Sequence, residues 1–111
     1  MSFSQKDWDK VYKEFKEEED ELMVSKNKEY AGEDKLSNFR RVAHMLDTDE
    51  KTVCLFWLMK HIDSIRTAIQ SGNYRWLWED ESGKEQLKQR IVDARNYLML
   101  LAFCLEEERD A

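Results

Sequence analysis

Residues 85–105 read EQLKQRIVDARNYLMLLAFCL. Within them Leu87, Ile91, Ala94, Leu98, Leu101 and Leu105 recur at alternating steps of four and three. That spacing is the seam of a coiled coil. It predicts a helix from about Lys84 to Glu108. Period-two alternation, which a half-buried strand would need, is absent.

The rest of the chain reads the same way. Upstream, VCLFWLM (Val53–Met59) sits inside a helical pattern running from about Asp49 to Gln70. It is apolar all round, which predicts that the first half of this helix forms the buried centre of the domain. Asp47 or Thr48 can cap its start. Between the two helices, SGNYRWLWEDESGK (Ser71–Lys84) is a connection rich in Trp and acids. Trp76 and Trp78 need a surface to cover, either by folding back on the helices or on a second subunit. Further upstream, Leu36, Phe39, Val42, Ala43 and Leu46 give a short helix its apolar face. Ser4, with Asp7 in the first turn, caps a first long helix. Trp8, Val11, Tyr12, Phe15, Leu22 and Met23 mark that helix, and Gly32 lies at or just beyond its end.

The expected fold is all-α: a single helical domain over residues 1–111, an antiparallel bundle of three long helices plus one short helix. The chain has no proline and three glycines, as long helices favour. The large apolar side chains outnumber the interior positions of one small bundle. Self-association, most simply as an isologous dimer, follows as an expectation.

Composition restricts function. Eighteen Lys and Arg stand against 24 Asp and Glu, a formal charge of -6. General nucleic-acid binding, which needs a broad basic patch, is not expected. The polar N-terminus MSFSQKDWDK is no signal peptide, and VCLFWLM is too short to span a bilayer. A cytoplasmic protein with no membrane contact is expected. Cys54 and Cys104, each in an apolar helical run, read as buried unpaired thiols.

Three polar groups carry candidate chemistry. In the first helix, Glu14 shares a face with Glu18 and Glu21 of the acidic run Glu17–Glu21. A divalent cation would offset that charge, and Mg²⁺ takes carboxylates together with substrate phosphates. A solvated face balanced by Lys13, Lys16 and Lys26 is the alternative. In the third helix, Lys60, His61, Asp63 and Ser64 interrupt the apolar pattern; His61 has no nucleophile beside it, so a catalytic triad is not expected. In the last helix, Asp93 and Asn96 lie one turn apart beside the seam. They either find structural partners or meet a metal and a base or phosphate.

Three stretches, NKEYAGEDKLSNFRRVAHML, LMKHIDSIRTAI and EQLKQRIVDARNYLMLLAFCL, carry a resemblance. They resemble the small phage and prophage proteins of the nucleotide modification associated family. That family is in turn similar to the MazG-like all-α NTP pyrophosphohydrolases. The resemblance implies a helical fold, oligomerisation and a role in nucleotide metabolism, in the host cell cytoplasm if the protein is phage-encoded. By the family pattern, Glu18 and Glu21 match the first acidic pair that holds Mg²⁺, and Asp93 the last acid of the second pair. Arg90 and Gln89 stand where acids are expected, so the motif is incomplete for hydrolysis. If a nucleotide binds, Arg40 and Arg41 can meet phosphates bidentately, Lys60 can add a charge, and Tyr30 or a Trp can stack on the base. Asn38 and Asn96 complete the expected ligand-binding set. The alternative function is a non-enzymatic phage interaction protein. Its acidic helix would mimic a nucleic-acid backbone and block a host defence complex, making a host protein its partner.

Overall fold

The computed structural model describes residues 2–26 and 36–110. All the regular structure there is helical: α1 (Gln5–Glu21), continued by a π-helical turn (Leu22–Lys26), then α2 (Ser37–Met45), α3 (Glu50–Ser71) and α4 (Leu87–Asp110). No strand forms among the described residues; one isolated bridge joins Glu79 and Glu85.

Local chemistry sets the helix ends. Ser4 caps α1 through a capping box: its Oγ accepts from the Asp7 amide at 3.2 Å, and Asp7 Oδ2 accepts from the Ser4 amide at 3.0 Å. Asp49 caps α3, accepting from the Thr52 amide at 2.9 Å. Asp47 and Thr48, the expected caps, lie instead in the preceding turn, where Asp47 takes the left-handed conformation (φ 54°). Gly72 ends α3 at φ 72°, a conformation costly for any residue with a Cβ. In the α3–α4 connection, Asp80 Oδ1 accepts from the amides of Ser82 and Lys84, and Gly83 completes the turn at φ 82°. The Ser82 hydroxyl, which donates to the same oxygen at 2.7 Å, and then these amide bonds hold the Asp80 carboxyl below the usual carboxylate range. They also place the start of α4 at Leu87, three residues later than the pattern suggested.

Two apolar cores result. In the first, α2 lays Leu36, Phe39 and Ala43 onto Val53 and Cys54 of α3 and Leu100 and Cys104 of α4, with Trp57 and Tyr97 packed against them. In the second, Phe15 and Leu22 cover Val92 of α4, and Trp78 folds back onto them. The Trp78 ring lies 5.1 Å from that of Phe15, so the connection does cover its own chain. Contacts along α3 and α4 run in opposite order: Lys51 meets Glu108, and His61 stacks on Tyr97 at 4.7 Å. Contacts of α1 with α4 run in the same order, Glu14 with Lys88 and Glu19 with Arg95.

Burial departs from the sequence pattern in two places. Leu55, Phe56 and Met59 are exposed, so Val53–Met59 is not buried all round. The buried stripe in the C-terminal half of α4 is Leu100 and Cys104, while Leu98 and Leu105 of the predicted seam face outward. The molecule is correspondingly elongated, 50 × 29 × 25 Å. Its Cα radius of gyration is 16.0 Å, against about 13 Å for a compact domain of this length. No helix among the described residues is long and apolar enough to cross a membrane.

Candidate functional site

The acidic face of α1 meets α4 and the tryptophan connection. Phe15 seats α1 on this surface, and helical spacing brings Glu14 and Glu18 to the edge of the contact. Glu14 Oε1 accepts from Trp78 Nε1 at 3.1 Å and from Lys88 Nζ at 2.8 Å. The Lys88 ammonium also lies 5.4 Å from the Trp76 ring and 5.6 Å from the Trp78 ring, a cation held between two aromatic faces. Two turns further along α4, Arg95 donates to Glu19.

Glu18 stands between these two ion pairs. It is partly buried, and no Lys or Arg among the described residues forms an ion pair with it. Burial, and then the charges of Glu21, Glu14 and Glu17, raise its carboxyl above the usual carboxylate range. The arrangement is a ledge of carboxylates with α4 cations at each end. It favours a positive ion near Glu18, because such an ion would relieve both the desolvation and the repulsion.

The other predicted site residues are distributed differently. Asp93 accepts from Gln89 Nε2 at 3.0 Å, so the glutamine found where an acid was expected becomes its intrahelical partner. Asn96 is buried, the one buried polar side chain among the described residues. Arg40 does not stand open to a phosphate. Its Nε pairs with Glu50 at 3.1 Å and its Nη2 with Glu107, tying α2 to both α3 and α4. Arg41 is exposed and donates to Asn38 Oδ1 at 3.1 Å, within the first turn of α2. Lys60 is exposed, 5.5 Å from the Phe56 ring. Tyr30 lies outside the described residues. Among those residues, no three His, Cys, Asp or Glu side chains are grouped so as to hold a metal ion by themselves.

Cys54 and Cys104 are free thiols in the first core. Burial is the main cause that pushes Cys54 up to about 12 and Cys104 up to about 11. Both therefore stay protonated and unreactive at neutral pH.

Sequence reasoning missed Lys88 and Arg95. No spacing in the sequence marked them, because their acids lie on another helix at a different interval. Only the docking of α1 alongside α4 pairs them. No protein-family model matches the chain, and neither a curated protein nor a solved structure does.

Proposed function

We propose that the protein is a nucleotide-directed helical protein of phage type that works in the cytoplasm and binds a nucleotide together with Mg²⁺ beside the α1 ledge. One observation carries this reading: Glu18 is partly buried among like charges, with its carboxyl raised, while Lys88 and Arg95 are taken up by Glu14 and Glu19 on either side of it. Mg²⁺ commonly takes only one or two protein carboxylates and completes its shell with phosphate oxygens and water. Glu18 and Glu21, one turn apart, suit such a set even without a third acid. The ion would supply charge neutralisation to the phosphates. Asp93 contributes only by giving up Gln89. Arg41 and Lys60, both exposed, can meet a phosphate, Arg41 by giving up Asn38; Asn38 and Tyr30 are the remaining contacts, and the buried Asn96 would have to be uncovered to take part. Arg40 would have to leave Glu50 and Glu107 to take part. Hydrolysis in the manner of a MazG-like pyrophosphohydrolase is the weaker half of the proposal, because Gln89 and Arg90 supply no carboxylate. The same reading takes the three long helices as an antiparallel bundle that self-associates.

Calorimetry with nucleoside triphosphates tests it. Binding is expected in Mg²⁺ and to weaken at least tenfold in Glu18→Gln and Arg41→Ala. No binding at millimolar nucleotide would remove the pocket. The second reading would then take over: a non-enzymatic phage protein that engages a host defence or nucleic-acid-binding complex. Its supporting observation is the exposed outer edge of the acidic run, Glu17, Asp20 and Glu21.

A further inference from the structure

We infer that the faces of α3 and α4 turned away from α2 form one apolar surface, and that a second copy of this chain covers it. The inference deepens the self-association proposed above by naming the surface that carries it.

The argument starts at the seam between the two helices. Cys54 and His61 of α3 face Tyr97 and Cys104 of α4: Cys54 Sγ donates to the Tyr97 carbonyl at 3.5 Å, and the His61 and Tyr97 rings stack. The residues one step before two of these, Val53 and Phe103, belong to the core covered by α2. The residues one step after all four are Leu55, Ile62, Leu98 and Leu105, and every one is exposed. One step along an α-helix turns the side chain by about 100°. Because α3 and α4 run in opposite senses, a forward step on either helix turns toward the same side of the pair. The four aliphatic side chains therefore share the side opposite α2. Met59 and Ile69 extend the α3 stripe at helical spacing.

These six side chains are between 40% and 58% exposed. Half-exposed side chains of this size leave on the order of 100 Å² each, about 600 Å² together, which equals the largest apolar patch of an ordinary monomer. Two copies face to face would remove roughly 1,200 Å² from these side chains alone, the lower bound of a stable specific interface.

The chemistry favours a second copy over another partner in two ways. The predicted coiled-coil seam of α4 includes Leu98 and Leu105, which this chain leaves uncovered; a seam of that spacing is completed by another helix. Charge does not oppose the pairing, although the chain carries -6. At this face Arg66 already pairs with Asp63, and Arg109 with Glu106. The acidic run of α1 packs at the other end of α4, near Lys88 and Arg95. An isologous pairing of this face makes a four-helix core, with α3 and α4 from each copy.

Light scattering at micromolar concentration tests the inference on wild type, Met59→Glu, Leu98→Glu and Trp8→Glu. Trp8 is an equally exposed apolar residue on α1 and serves as the control. The wild type and Trp8→Glu should show twice the 13.4 kDa chain mass. The two face variants should dissociate at least tenfold more readily while keeping their helical circular dichroism. Hydroxyl-radical footprinting of the wild type needs no substitution. Met59 should be protected relative to the exposed Met45, and should lose that protection on dilution. A dimeric wild type whose face variants stay dimeric, or whose Met59 labels as freely as Met45, would overturn this surface and leave self-association standing. A monomeric wild type would overturn both and leave the face to a partner of another kind.

Discussion

Phe39→Ala should be among the most damaging single substitutions in this chain. Phe39 is 4% exposed and lies where α2, α3 and α4 meet. Its ring centroid is 5.8 Å from that of Trp57 and 6.1 Å from that of Tyr97. Truncating a buried Phe to Ala costs about 3–5 kcal/mol through lost transfer energy and the cavity left behind. The aromatic contacts put this site toward the upper half of that range. A domain of this size is stable by only about 5–15 kcal/mol, so about a quarter or more of the total is at stake. The melting temperature should fall by roughly 15 °C. Phe56 provides the comparison, since it lies in the apolar run Val53–Met59 of α3 yet is 60% exposed. Phe56→Ala should cost under about 1 kcal/mol. Urea unfolding followed by circular dichroism measures both. A loss below about 1 kcal/mol for Phe39→Ala, or equal losses for the two variants, would refute the placement of the core under α2.

Two further predictions concern ionisable groups. Arg40→Ala leaves Glu50 and Glu107 without the cation they share, and should cost about 1 kcal/mol at low salt and less at high salt, because the guanidinium is part-exposed and screened; denaturant melts at two ionic strengths check it. The thiols predict an alkaline limit to stability. Their folded values of about 12 and 11 exceed the reference value of 9.0, so above pH 9 the unfolded chain loses protons that the folded chain keeps. Stability is then full below pH 9 and falls as pH rises toward those folded values, by on the order of 1 kcal/mol per pH unit for each thiol. Cys54→Ala/Cys104→Ala, once corrected for its lower baseline, should lose that slope. Alkylation of the native protein at pH 8 should be slow, and fast in denaturant.

Local physics made the helices legible. The Ser4 capping box, the four-three spacing of α4 and the absence of proline each act within a few residues, so the sequence determined an all-helical chain with nearly correct helix positions. It also marked Phe39 as core through the hydrophobic spacing of α2, and both cysteines as buried thiols because each lies in an apolar helical run. What the tertiary structure alone decided is which of several apolar faces each helix uses. Val53–Met59 is apolar all round, and only the docking of α2 and α4 selects Val53, Cys54 and Leu58 for burial and leaves Leu55, Phe56 and Met59 outside. The same docking moves the buried stripe of α4 from Leu98 and Leu105 to Leu100 and Cys104. The charges follow the same logic. Arg40 looked like a phosphate ligand because its acids, Glu50 and Glu107, are far away in sequence; helix packing brings them to it. Lys88 and Arg95 looked unremarkable for the same reason, and become partners of Glu14 and Glu19 only because α1 lies alongside α4. Periodicity is a property of one helix, whereas burial and ion pairing are properties of two.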